Sequence, residues 1–234
     1  MVDPTARRAG NTRCPEPAVH RMWYRAVLGR CYTHLQYDSR HTELILFGAH
    51  TDFQSKMSSA SDAFEQSILD AQNLLGHFNK LNTKPPPPGI EVLKRAGLIM
   101  AMTAWETYVE DRVTEALMNR LRSLTDESVA AFIRAKLSDE IKRLHNPTSD
   151  KTIQLFRDYA NFDLTDKWTW NGVESRVARE RLNQYMKLRG DVVHRSRSVT
   201  AGPPQPHLVT KEDLERVIRF LRNLVAVTER ALSS

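Results

Sequence analysis

From residue 57 onward, apolar side chains return every three or four positions, the period of a helix face rather than the alternation of a strand. Phe64, Ile68, Ala71, Leu75 and Phe78 fall at i, i+4, i+7, i+11 and i+14, a single stripe along one helix. Ser58-Ser59-Ala60-Ser61 offers its N-cap. Pro85-Pro86-Pro87-Pro88, inside the stretch Asn82 to Gly89, ends it and makes a stiff connector. A long helix is expected over about 90–122, burying Ile90, Leu93, Gly97, Ala104 and Tyr108. One or two shorter helices are expected over 126–144, ended by Asn146-Pro147, and another over 152–159. The aromatic-rich turn Asp166 to Gly172 follows, with Trp168 and Trp170. Two further helices are expected, at about 173–194 and 211–232. Thr210-Lys211-Glu212-Asp213 approaches a capping box with Asp in the fourth place, and Leu214, Val217, Ile218, Leu221, Leu224 and Val225 form the last stripe. The expected fold class is all-α, an antiparallel helical bundle with additional short helices.

The first 56 residues read differently. They carry Pro4, Pro15 and Pro17, both cysteines and four histidines, with no sustained period beyond Leu44-Ile45-Leu46-Phe47. The expected organisation is therefore a poorly patterned extension over 1–56 and a helical domain over 57–234, with Met57 as a second possible start. Cys14, His20, Cys31 and His34 fit no usual zinc spacing, so no metal site and no cofactor is expected.

Several function classes lack a handle. With nine Gly among 234 residues and no recurring strands, a doubly wound nucleotide-binding fold is disfavoured. There is no Walker A loop, no G-x-G-x-x-G after a strand, no H-E-x-x-H and no G-x-S-x-G. No apolar run approaches the ~18–20 residues that cross a bilayer, so no membrane partner is expected. Two cysteines make no disulfide framework, which fits a cytoplasmic location. A net charge of +6 is compatible with nucleic acid without requiring it.

The chemistry concentrates between Arg181 and His194. Ala178, Leu182, Tyr185, Met186, Val192 and Val193 mark the apolar face of the penultimate helix, and the same face passes through Arg189. A guanidinium on an apolar stripe needs a partner or a wet cleft, since burying it unpaired is costly. His194 follows five residues later, about 140° around an ideal helix and ~7.5 Å along it. Gly190 and the β-branched Val192-Val193 are expected to loosen the helix there. The spacing has two readings: a capping His with an Arg tied to a carboxylate such as Glu106, Glu110 or Asp111, or a paired cation and imidazole facing a groove. Trp105 and Tyr108 are expected in the core, and Trp168 and Trp170 are expected to pin their loop to the bundle.

In this setting Arg189-Gly190-Asp191-Val192-Val193-His194 resembles the R-x4–6-H motif of the HEPN superfamily. Ala104-Trp105-Glu106-Thr107-Tyr108-Val109-Glu110, the turn Asn146-Pro147-Thr148 leading to Ile153-Gln154-Leu155-Phe156, and the Trp168/Trp170 turn are similar to its RiboL-PSP type. The resemblance spans about 57–232. It implies a helical bundle that pairs about a two-fold axis, with motif helices from both protomers lining one cleft. It further implies either a metal-independent endoribonuclease, of the kind found in toxin–antitoxin and phage-defence systems, or a HEPN-fold module that binds RNA or nucleotide without cutting.

On that resemblance Arg189, His194 and Asp191 form the expected catalytic set, with Lys187, Arg195 and Arg197 as RNA-binding residues. The expected partners are RNA, a second copy of the chain, and an antitoxin or defence-operon partner. Where the family motif carries a polar residue directly after the Arg, this chain has Gly190, and the acid sits one place later at Asp191.

Overall fold

The structure is a computed structural model, and it describes residues 58–195 and 208–233. The expected extension over 1–56, with its cysteines and histidines, lies outside the described residues, as does Arg197. Six helices make up the described part: α1 (Ser59–Leu81), α2 (Val92–Leu121), α3 (Glu127–Arg143), α4 (Ser149–Ala160), α5 (Ser175–Arg195) and α6 (Lys211–Ser233). Among the described residues the nearest thing to a strand is one isolated bridge, Trp170 with Val173. The chain is all-α, as the apolar periods indicate.

Local chemistry sets the helix starts. Ser58 Oγ accepts from Ser61 N at 3.1 Å, and the Glu115 carboxylate of α2 accepts from Ala60 N at 2.9 Å. A carboxylate at a helix N-terminus also complements its dipole. Asp126 Oδ1 accepts from Ser128 Oγ, and from Ser128 N and Val129 N, at the start of α3; these bonds, the hydroxyl's first, hold its carboxyl below the usual range. At α6, Thr210 Oγ1 accepts from Asp213 N while Asp213 Oδ2 accepts from Thr210 N, each at 3.1 Å. Aspartate thus closes the reciprocal capping box, although it is one methylene shorter than glutamate. Helix α4 begins three residues earlier than its apolar pattern suggests, because Thr148 caps it at Ser149.

Helix α2 is the axis of the bundle and touches each of the other five helices. Its Trp105, Tyr108, Val109 and Val113 are sealed from solvent, together with Phe64 and Ile68 of α1, Phe156 of α4, Leu182 of α5 and Leu221 of α6. Each such aliphatic or phenyl side chain contributes about 1.5–3 kcal/mol relative to exposure. Trp168 is fully buried, and its indole N–H donates to Thr228 Oγ1 at 2.9 Å, so that turn is stapled to α6.

One core position differs from expectation. Leu93 is half-buried, and Lys94 occupies the buried place instead. Its ammonium pairs with Glu91 at 2.6 Å and lies over the Phe78 ring at 4.6 Å. A long aliphatic stem with a paired, ring-backed head fills an apolar site that composition alone assigns to leucine. The four prolines form no helix, and Gly89, at φ +75, turns the chain into α2.

Candidate functional site

Three pieces of chain converge beside Arg189: the middle of α2, the Asn146-Pro147-Thr148 turn, and the last two turns of α5. The turn is fixed first. Asn146 has φ +55, a left-handed conformation that Asn tolerates better than most residues. The Trp105 indole donates to Pro147 O at 3.2 Å. Asn183 of α5 accepts from Ser149 N at 2.9 Å and donates to Ser149 Oγ at 3.0 Å, tying the start of α4 to α5. With both sides held, the Asn146 side chain projects to α5, where Arg189 Nη1 donates to its Oδ1.

The same guanidinium faces Glu106 of α2, with Nη2 at 3.9 Å from Oε2. Arg189 and Glu106 keep 26% and 21% side-chain exposure, so their pair sits at the rim of the core rather than inside it. Arg189 Nε is buried with no hydrogen-bond partner among the described residues. Of the three candidate partners Glu106, Glu110 and Asp111, Glu106 is the one at ion-pair distance from Arg189. Asp111 is exposed on the same helix, and partial desolvation followed by the nearby Glu115 charge raises its carboxyl above the usual range.

His194 is exposed in the last turn of α5. It shares a stripe with Asn183, Lys187 and Gly190, at i, i+4, i+7 and i+11, and Lys187 is exposed as well. A Cβ built on Gly190 would meet nothing within 4 Å among the described residues, so the helix surface at that position is open to them. Asp191 is half-buried and engaged in an interaction of its own. Arg195 closes α5 by its backbone.

Two expectations need correction. Gly190 and the two valines do not loosen the helix, which runs unbroken through Arg195. With four-residue hydrogen bonding intact on both sides, one glycine costs only about 1 kcal/mol. Val193 is also not on the apolar face: Val192 is buried while Val193 is 44% exposed, as a 100° step per residue requires. Trp105 and Tyr108 are core residues, as expected, and neither is available to a ligand.

Asn146 is the site residue that sequence reasoning missed. Its turn drew attention, but nothing in the local pattern shows that its amide reaches a guanidinium 43 positions later. Among the described residues no group of three or more His, Cys, Asp or Glu side chains could hold a metal ion. No helix among them is long and apolar enough to cross a membrane.

The sequence profile of the RiboL-PSP-HEPN family matches residues 66–234. No curated protein and no solved structure matches the chain.

Proposed function

The chain belongs to the RiboL-PSP-HEPN family, and from that premise we propose that it is a metal-independent endoribonuclease in which Arg189 and His194 act on the RNA backbone. RNA brings its own nucleophile, the 2′-hydroxyl, so the protein needs to move protons and neutralise charge rather than supply an attacking group. In this reading the His194 imidazole takes the 2′-proton or protonates the departing 5′-oxygen, the general acid–base work that imidazole most often performs. Arg189 binds the scissile phosphate and stabilises the charge that grows on its oxygens. Asp191 orients one of the two, and Lys187, Arg195 and Arg197 guide the flanking phosphates.

The observation that carries the reading is the contrast between the two groups. Arg189 is anchored by Asn146 at the rim of the core, while His194 stands exposed past an open stretch of helix surface at Gly190. One is pre-organised and the other is accessible, as a phosphate clamp and a proton carrier should be. A phosphate at Arg189 takes the place that the Glu106 carboxylate holds at 3.9 Å. One imidazole cannot easily be acid and base in the same step. A homodimer pairing two α5 helices about a two-fold axis supplies two, and this is the chemical case for a shared cleft. Action in phage defence, as a toxin restrained by an antitoxin, or in RNA stress response is part of the same proposal.

A second reading keeps the fold and drops the cleavage. It is favoured by Arg189 being already engaged by Asn146 and Glu106, and by glycine standing where the family motif has a polar side chain. The chain would then be an RNA- or nucleotide-binding adaptor. Purified protein is incubated with total RNA and EDTA, beside Arg189→Ala and His194→Ala. Cleavage that leaves 2′,3′-cyclic phosphate ends and vanishes in both variants is the expected result. RNA binding with no cleavage by any of the three selects the adaptor.

A further inference from the structure

A concavity of about 550 Å³ opens between α5 and α6, on a face of α5 about a quarter-turn from Arg189. Its size lies in the range of small-ligand sites, about 300–1,000 Å³. One wall is aromatic. Phe220 is buried at its base and meets Tyr185 edge-on at 5.2 Å and Trp170 edge-on at 5.6 Å, and both of those rings are half-buried where they line the opening.

The other wall is cationic, with Arg181 from α5 and Arg216 and Arg219 from α6. Asp213 is the single carboxylate among the lining residues, and it pairs with Arg216 at 3.4 Å. Arg181 and Arg219 are exposed and form no ion pair among the described residues. Two guanidinium groups without an ion-pair partner among the described residues therefore stand over a surface of three rings.

That combination selects for a ligand that is both anionic and planar. Guanidinium groups bind phosphate bidentately, and aromatic rings accept a nucleobase of any identity on their faces. A carboxylate-rich peptide would satisfy the arginines and leave the rings unused. An apolar ligand would strand the charges. We propose that this groove is a subsite for single-stranded RNA, seating one base against Trp170 and Tyr185 with the adjoining phosphates on Arg181 and Arg219. It rests on RNA being the ligand of the Arg189–His194 centre, and it places a second contact on the neighbouring face of α5. A strand that spans both must curve around that helix, so length of RNA rather than base sequence governs its affinity.

The test uses the full chain carrying His194→Ala, so that a fluorescein-labelled 12-nucleotide oligouridylate is not cut. Adding Arg181→Gln and Arg219→Gln together should raise Kd at least tenfold. The slope of log K against log salt should fall by about 1.4, two phosphate contacts at ~0.7 each on a single strand. Restoring charge with Arg181→Lys and Arg219→Lys should recover most of the affinity, and both pairs should melt as the parent does. Oligouridylate binding that the glutamine pair leaves unchanged overturns the groove, while cleavage by the wild-type chain stands on its own result. Loss of binding in the glutamine pair, with no cleavage by the wild type, overturns the nuclease and leaves the groove. Uridine 5′-monophosphate binding as tightly as the oligomer makes the site one for a free nucleotide and overturns the strand. Equal competition by hepta-glutamate shows charge alone at work and overturns it too.

Discussion

Arg189 Nη1 donates to Asn146 Oδ1 across 43 residues of sequence, joining the last turns of α5 to the tight turn that precedes α4. The link matters because Asn146 is itself held in place by its neighbours. Its backbone is left-handed, the next carbonyl accepts from the Trp105 indole, and Asn183 clamps the helix that follows. A guanidinium bonded to so fixed an oxygen loses little entropy when it meets phosphate.

Two substitutions separate the roles of Asn146. Asn146→Gly keeps the left-handed backbone and deletes only the amide, whereas Asn146→Ala also strains the turn. A hydrogen bond to a charged group is worth about 1.5–3 kcal/mol. RNA cleavage by Asn146→Gly is therefore expected to fall by about 10- to 150-fold, with a small change in melting temperature. Asn146→Ala should show the same loss of cleavage and a further destabilisation of about 1–3 kcal/mol. Cleavage assays beside thermal unfolding of both variants check this. Equal activity of Asn146→Gly and wild type would mean that the tether is structural only.

The helices were legible in the sequence because their information is local. The α1 stripe from Phe64 to Phe78, the cap at Ser58 and the Thr210–Asp213 box all lie within one or a few turns. Arg189 and His194 stood out for a similar reason, a cation on an apolar face and an imidazole five residues beyond it. Tertiary pairing was not legible. Lys94 replaces Leu93 in the core because Phe78 and Glu91 happen to receive its head. Glu106 was one carboxylate among three until packing set α2 against α5, and Asn146 showed only that a turn exists.

The buried triad of Tyr108, Glu229 and Arg112 gives the fold a pH response. The Tyr108 hydroxyl donates to Glu229 Oε1 at 2.7 Å, and Arg112 Nε donates to the same oxygen at 2.9 Å. Burial, and then the Glu229 charge, push the Tyr108 phenol well above its ordinary value. In the unfolded chain the phenol ionises near pH ~10, before the native one does. Stability from this group is thus fully present below about pH 10 and is lost as pH rises from there toward the native value. Urea unfolding between about pH 8 and 11 should show that decline, and Tyr108→Phe should flatten it. Glu229→Ala leaves Arg112 buried without its counter-charge, and should cost about 3–5 kcal/mol in the same measurement at neutral pH.

Gly190 offers the sharpest test of what lies against α5. Its backbone is helical, and an added Cβ meets no neighbouring element within 4 Å among the described residues. Gly190→Ala removes the entropy penalty of a mid-helix glycine, worth about 0.5–1 kcal/mol, without a steric cost inside the protomer. The melting temperature should rise by about 1–4 °C for a domain of this size. The measurement is a melt at several protein concentrations, beside sedimentation equilibrium. A gain that is independent of concentration means that position 190 faces solvent in every state. A loss that deepens as the chain associates would place a partner helix directly on Gly190, one turn from His194, where two protomers sharing a cleft would meet.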